Sequence, residues 1–187
     1  MIPIKNKKKS FEYTVEEMRK FSFAYLEKYS PSKQQLKTYL LKKYLKSSSS
    51  KVKKKDLIEL IEEVISDLEK NKFINDKFYS DTKAKNLIQR GSSINKIRNY
   101  LLSKGINNKY IKETIENINS NNDDQDFFSA IKLCKKKRIG PSRPDENRSL
   151  FFKKDIAILA RNGFSFDISK RVMDITKEEY NKIINYL

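Results

Sequence analysis

The amino-acid sequence predicts an all-helical fold of about three tandem three-helix repeats, with nine or ten helices in total. Only four of the 187 residues are Gly and four are Pro, while 37% are apolar and 35% are charged. A chain so poor in turn residues does not suit an all-β fold, and it is too apolar to be disordered. Helix-start signals recur along its whole length, and one helical pattern recurs at a fixed offset. Stacked repeats predict an elongated, gently curved protein.

Helix-start signals open the first two predicted helices. Thr14 and Glu17 have the spacing of a capping box, and Tyr13 and Met18 fall at the hydrophobic-staple positions around it. Ser32 begins a second box. The predicted inward residues of these two helices are Met18, Phe21, Tyr25, Leu26, Leu36, Tyr39 and Leu40. After a polar loop at 46–55, a third helix carries a continuous apolar stripe of Leu57, Leu60, Ile61, Val64, Ile65 and Leu68.

The middle of the chain predicts four more helices. Asp76 caps a fourth that runs to Gly91, and Ser93 starts a fifth that stops at Gly105. Asp123 or Asp124 precedes the seventh. The inward residues of helices five to seven are Ile94, Ile97, Leu101, Ile111, Ile115, Ile118, Phe127, Phe128, Ile131 and Cys134.

The C-terminal part begins with the longest predicted loop, residues 138–147, which contains Gly140, Pro141 and Pro144. A helix through Leu150, Ile156 and Leu159 follows and ends near Gly163. A short helix then lies around Ile168 and Val172. Thr176 and Glu179 form a third capping box before a last helix with Tyr180, Ile183, Ile184 and Leu187.

An internal repeat underlies the predicted domain organisation. A shift of 61 residues places Ser32 on Ser93, and residues 101–106 align with 159–164. The pattern predicts a basic N-terminal tail at 1–10 and three helical repeats at 11–72, 73–122 and 123–187. Three ordinary three-helix bundles joined in series would give the same pattern.

The composition argues against catalysis. The chain has no His, which removes the commonest general base and most zinc sites, and it has no Gly-rich phosphate loop. Cys134 falls at an apolar helix position, where a buried thiol is expected. The acidic run Asp123-Asp124-Gln125-Asp126 could hold a metal ion, but capping of its own helix explains it better. We therefore predict a protein that is not an enzyme and uses no metal or cofactor.

The positive charge points to a polyanionic partner. The formal net charge is +17, and basic residues cluster within 42–55, 96–112 and 132–143. AT-rich coding could account for part of the lysine content, and the lysines could equally be scattered around the surface. The residues predicted to contact a partner or nucleic acid are Lys42, Lys43, Lys53, Lys54, Lys55, Lys96, Arg98, Lys104, Lys135, Lys136, Arg138 and Arg161.

The cellular setting and assembly follow from simple features. A lone cysteine, no apolar signal region behind Met1 and no apolar run of membrane-spanning length predict a cytoplasmic protein. We expect a monomer. A sequence-specific helix-turn-helix reader is a weaker alternative, because the helix after Gly105 carries Lys and Asn rather than side chains suited to bidentate base contacts.

Several short motifs resemble those of the RecX family. The run Arg161-Asn162-Gly163-Phe164-Ser165 resembles the family's Arg-Arg-Gly-Phe-Ser signature, with Asn162 in place of the second Arg. The run Ile74-Asn75-Asp76-Lys77-Phe78 is similar to the family's Leu-Asn-Asp-x-x-Phe element, although Tyr79 replaces the usual Ala. Similarity to the family's central repeat is found at Arg90-Gly91, Ile97, Leu101 and Lys104-Gly105-Ile106. Similarity to the family's first repeat is found at Tyr25-Leu26, Ser32, Gln35-Leu36 and Leu40. One departure is Tyr44, which stands after Lys43 where the family has Gly.

The resemblance covers roughly residues 25–172 and implies a function. RecX proteins bind the filament that RecA recombinase forms on single-stranded DNA. They usually restrain its growth, ATP hydrolysis and strand exchange. The resemblance therefore implies three tandem repeats and a regulator, more often an inhibitor, of RecA in DNA repair and the SOS response. The alternative is a nonspecific, lysine-rich architectural protein that binds nucleic acid.

Overall fold

Helices account for the regular structure of the described chain. The computed structural model describes residues 11–47, 53–121 and 124–187, which contain ten α-helices, one 3-10 helix and no strand. The α-helices are α1 (Val15–Leu26), α2 (Lys33–Ser47), α3 (Lys54–Lys70), α4 (Asp76–Gln89), α5 (Ile94–Ser103), α6 (Asn108–Asn121), α7 (Gln125–Lys137), α8 (Asp145–Arg161), α9 (Phe166–Asp174) and α10 (Lys177–Tyr186). The 3-10 helix is Gly140–Ser142. The predicted all-helical class is confirmed. Within the described ranges, no helix is long and apolar enough to cross a membrane.

The chain separates into two compact units. Among the described residues, the first contains 11–47, 53–79 and Lys104–Ile106, and the second contains 80–103, 107–121 and 124–187. Helices α1–α3 lie within the predicted range 11–72, α4–α6 within 73–122 and α7–α9 within 123–187, with α10 last. The boundaries of the repeats stay a prediction.

The core of the first unit is formed by one face of each of α1, α2 and α3. Its fully buried residues include Met18, Leu36, Leu40 and Tyr44. Five members of the predicted α3 stripe are also buried, and Leu60 packs against them at the edge. Burying each such side chain favours folding by about 1.5–3 kcal/mol before entropy costs. Helical spacing of apolar residues predicted Met18, Leu36, Leu40 and the α3 stripe, but it did not predict the burial of Tyr44.

The core of the second unit lies around α7, α8 and α9. Ile131, Cys134, Leu159 and Val172 are completely buried in it. Gly140 and Pro141, in the 3-10 helix, are also buried, so the segment after α7 belongs to the folded interior. The loop predicted at 138–147 is shorter than expected, because α8 already begins at Asp145.

A set of three contacts fixes the start of α2. The Ser32 hydroxyl donates to the Lys104 carbonyl at 2.7 Å, and the Lys33 N–H donates to the Asp76 carboxylate at 2.9 Å. Gly105 has a φ of +73°, and a Cβ there would lie 2.5 Å from the Cβ of Gln34. Only glycine fits this turn without strain.

Three equivalent contacts, made by different residues, fix the start of α5. The Ser93 hydroxyl donates to the Asn162 carbonyl at 2.7 Å, and the Ile94 N–H donates to Asp126 at 2.8 Å. Gly163 has a φ of +87°, and a Cβ there would lie 2.6 Å from the Ser93 hydroxyl. Residues that the 61-residue shift aligned therefore occupy equivalent places. We call each set of contacts a junction.

The junction at α2 corrects one capping prediction. Asp76 was expected to cap α4, but Asn75 does so, because its side-chain oxygen accepts from the Phe78 N–H at 2.9 Å. Asp76 instead caps α2 from a distance in sequence. The predicted boxes at Ser32 and Thr176 are both reciprocal, with the hydroxyl and the Gln35 or Glu179 side chain each bonded to the opposite backbone N–H.

Candidate functional site

The first predicted basic group lies at the end of α2 and the beginning of α3. Lys42 is exposed near the end of α2, and Lys53, Lys54 and Lys55 are exposed where α3 begins. Since α2 packs against α3 and six residues join them, these lysines share one end of a helical hairpin. We call these four residues together with Lys43 the hairpin lysines. The predicted tail at 1–10 lies outside the described residues.

Lys43 has a different environment from its neighbours. It is half-buried, and its Nζ lies 3.9 Å from the centroid of the Phe21 ring and 5.1 Å from that of Phe11. An ammonium over aromatic faces is stabilised by the ring quadrupoles, which orients the side chain. Lys43 therefore supports the aromatic cluster of the first unit as well as contributing charge.

In the second unit, one contact brings two predicted residues near each other. The Lys96 Nζ donates to the side-chain oxygen of Asn162 at 2.9 Å, beside the exposed Arg161 at the end of α8. Arg98 is exposed on α5. Lys135, Lys136 and Arg138 are exposed at the end of another helix, α7. Lys104, in the first unit, is half-buried and supplies a junction carbonyl.

Arg143 has a structural role that its place in a basic stretch did not reveal. Its Nε and Nη2 donate to the buried carboxylate of Asp155 at 2.6 and 2.9 Å, and its guanidinium lies 4.3 Å from the centroid of the Phe151 ring. The Gly140 N–H also donates to Asp155, at 2.8 Å. The charge of Arg143 is therefore neutralised within the fold.

The acidic run before α7 stabilises structure, although not in the predicted way. Asp124 forms a two-bond salt bridge with Arg171, at 2.7 and 2.8 Å, which lowers the pKa of Asp124. Its side chain makes no capping bond to α7. Asp126 caps α5 instead, and burial raises the pKa of Asp126. Asp123 lies outside the described residues. Among those described, no acidic, Cys or His cluster could hold a metal ion.

Cys134 is buried, as predicted, in the core of the second unit. Burial, with a smaller contribution from Asp155, raises the pKa of the Cys134 thiol to about 12. A thiol that is neutral near pH 7 and shielded from solvent is a poor nucleophile.

The sequence reasoning missed a row of tyrosine rings in the first unit. The rings of Tyr25 and Tyr39 stack with centroids 4.2 Å apart and an interplanar angle of 17°. Tyr25 also contacts the ring of Tyr29, with centroids 4.9 Å apart. The spacing of Tyr25 and Tyr29 by four residues could have indicated this pair, but only the packing of α1 on α2 brings Tyr39 to it. We call these three residues the tyrosine row.

The chain was compared with protein-family models, with curated proteins and with solved structures. No protein-family model matches the chain, whereas the matching proteins and structures agree with one another. It is 31% identical over 156 residues to the regulatory protein RecX of Myxococcus xanthus, covering 80% of each chain. It is 29% identical over 117 residues to RecX of Agrobacterium fabrum, covering 59% of that protein. The crystal structure of RecX from Lactobacillus salivarius superposes with a TM-score of 0.61 at 16% identity, over 90% of this chain and 97% of that one.

Proposed function

The chain belongs to the RecX family of regulatory proteins, and from this we propose that it regulates RecA recombinase. In this proposal the protein binds the filament that RecA forms on single-stranded DNA and restrains its extension and ATP hydrolysis. It acts as an inhibitor in DNA repair and the SOS response. The match to the Myxococcus xanthus regulator over four-fifths of both chains carries the proposal.

The surface chemistry supports a nucleoprotein partner. A formal net charge of +17 attracts a polyanionic filament and speeds encounter with it. The proposed contacts are the hairpin lysines Lys42, Lys43, Lys53, Lys54 and Lys55, together with Lys96, Arg98, Lys104, Lys135, Lys136, Arg138 and Arg161. Four of the five hairpin lysines are exposed, and all five lie where α2 ends and α3 begins.

We propose that regulation proceeds without chemistry by this chain. The sequence contains no His, and the Cys134 thiol is buried with a raised pKa. Asp124 and Asp126 are engaged in holding helices together. The proposal accordingly needs no cofactor or metal, and it describes a cytoplasmic monomer whose effect comes from binding.

The test is RecA ATP hydrolysis on single-stranded DNA, titrated with this protein at near-physiological salt. We expect inhibition when the protein is present at a small fraction of the RecA concentration, because a filament regulator acts on many protomers at once. A matched titration with DNA in large excess over RecA controls for sequestration of free DNA. Unchanged hydrolysis up to a one-to-one ratio with RecA would refute the proposal.

The lysine content supports a second candidate, a nonspecific architectural protein that coats nucleic acid. Such a protein would reduce hydrolysis only when enough is present to cover the DNA. Its binding would also fall by orders of magnitude between roughly 50 and 200 mM salt, because it rests on phosphate contacts alone. Inhibition that tracks DNA coverage and disappears with salt would favour this candidate.

A further inference from the structure

The tyrosine row ends in Tyr29, whose ring is exposed and does not belong to the core of the first unit. Tyr25 and Tyr39 are half-buried against the core of the first unit, which holds their rings in place. Tyr29, whose ring contacts that of Tyr25, is 58% exposed and is the third residue after the end of α1. Its N–H donates to the Tyr25 carbonyl at 3.0 Å, so a hydrogen bond joins the backbone beneath the exposed ring to α1. The row is an anchored aromatic surface open to solvent.

Positive charge lies on the face of α2 that carries Tyr39. Lys42, Lys43 and Lys46 follow Tyr39 by three, four and seven residues, which places them on the face that carries the Tyr39 ring. The Lys43 Nζ is 5.7 Å from the centroid of that ring. Helix α2 contains five lysines and no acidic residue. The two lysines with acidic partners, Lys33 and Lys37, pair with Glu69 and Glu62 of α3.

We propose that the tyrosine row and these three lysines form a binding site for single-stranded nucleic acid. A base stacks on the exposed face of Tyr29, and Lys42, Lys43 and Lys46 contact the phosphates that follow. Aromatic rings beside a track of cations are the means by which proteins bind unpaired strands without regard to sequence. A duplex does not suit the site, because its bases already stack on one another. The inference rests on the proposed function, since it names the surface through which this chain meets the DNA strand.

The test measures binding of fluorescein-labelled oligothymidylate by anisotropy, without recombinase. An abasic oligonucleotide of the same length has the same phosphates but no bases to stack. We expect Tyr29→Ala to weaken binding of oligothymidylate on the order of tenfold, as loss of one stacked base does, and to leave abasic binding unchanged. Tyr29→Phe keeps a ring and should bind oligothymidylate like the original chain. Tyr186→Ala is the matched control, because Tyr186 is 91% exposed on α10.

Intrinsic fluorescence gives a second readout. The chain has ten Tyr and no Trp, so the quenching by oligothymidylate that Tyr29→Ala loses relative to the original chain reports stacking on that ring. The proposal is overturned if the original chain binds both oligonucleotides equally or neither. It is also overturned if Tyr29→Ala changes neither affinity or lowers both alike. ATP hydrolysis measured in parallel separates this site from the proposed function: inhibition by a chain that fails the stacking test leaves regulation standing without the site.

Discussion

Asp155 is the residue on which the segment after α7 depends. Its carboxylate is fully buried, and it accepts from the Gly140 N–H and from the Nε and Nη2 of Arg143. Burial by itself raises the pKa of Asp155, but the hydrogen bonds from Arg143 and Gly140 outweigh it, so the pKa lies below its ordinary value. A charged carboxylate is stable in this buried position because the fold supplies hydrogen-bond donors to both of its oxygens.

The lowered pKa of Asp155 predicts how the free energy of unfolding depends on pH. Asp155 contributes stability above its unfolded-state pKa of about 3.9, and that stability is lost as pH falls through the lower folded-state value. At pH 7, Asp155→Asn should lower the free energy of unfolding by about 3 kcal/mol, because it leaves Arg143 without its charged partner. The difference between variant and original should shrink below about pH 4. Urea unfolding at pH 7 and pH 3 measures both effects.

The control for this prediction is Asp145→Asn, which removes a charge from the exposed start of α8. It should change unfolding by less than about 0.5 kcal/mol, as surface substitutions usually do. An Asp155→Asn difference that stays constant between pH 7 and pH 3 would contradict the linkage.

Tyr44 shows how one residue changes the end of a helix. At Gly105 and Gly163 the chain adopts a positive φ and the helix stops. At the aligned position Tyr44 cannot adopt that conformation without strain, and α2 continues to Ser47. Its ring lies fully buried between Phe11, Tyr13 and Phe21, with centroids 5.4–6.1 Å away. Burial and the neighbouring Glu17 raise the pKa of the Tyr44 hydroxyl. The departure from the family pattern thus has a local structural reason.

At the scale of helices, the junctions show that capping can be nonlocal. The starts of α2 and α5 are each closed by a carboxylate more than 30 residues away, Asp76 and Asp126. Each carboxylate satisfies a backbone N–H that a helix start leaves without an internal partner. Burial raises the pKa of both Asp76 and Asp126, only partly offset by the N–H that each accepts. The hydrogen-bond acceptor, more than the charge, is therefore what each junction uses.

This distinction predicts different outcomes for two substitutions of Asp126. Asp126→Ala removes the acceptor and should destabilise the protein by roughly 1 kcal/mol, as loss of a helix cap does. Asp126→Asn keeps an acceptor oxygen and removes a charge that burial disfavours, so it should lose less than half as much. Chemical denaturation of the two variants under one condition compares them. Equal losses would mean that the charge itself holds α5.

Helix positions were predictable and helix partners were not. Local capping boxes at Ser32 and Thr176 and the stripe of α3 are set by neighbours within one or two turns, so the sequence displays them directly. The role of Asp76 depends on which helix start comes beside it, and no local pattern encodes that. For the candidate site, the sequence shows that the hairpin lysines share one basic stretch, and their role in binding stays a prediction. The tyrosine row could not be expected from the sequence, because it requires the packing of α1 against α2.

At the scale of the whole molecule, a local cluster of lysines and the total field of the protein make different predictions for binding. A net charge of +17 attracts any polyanion at long range. The hairpin lysines add a definite place where phosphates can be contacted, since they lie where α2 ends and α3 begins. A base-composition origin of the lysines predicts that position is irrelevant, whereas a binding site predicts that position decides affinity.

Two variants with equal net charge separate these views. The first changes Lys53, Lys54 and Lys55 to Gln. The second changes three other exposed lysines to Gln, namely Lys20 on α1, Lys70 on α3 and Lys182 on α10. Each phosphate contact on a single strand contributes about 0.7 to the slope of log affinity against log salt concentration. The first variant should therefore reduce that slope by about 2 for oligothymidylate, and the second should leave it nearly unchanged while slightly weakening binding at low salt. If both variants reduce the slope equally, the lysines act as a diffuse field, and the hairpin has no special place in binding.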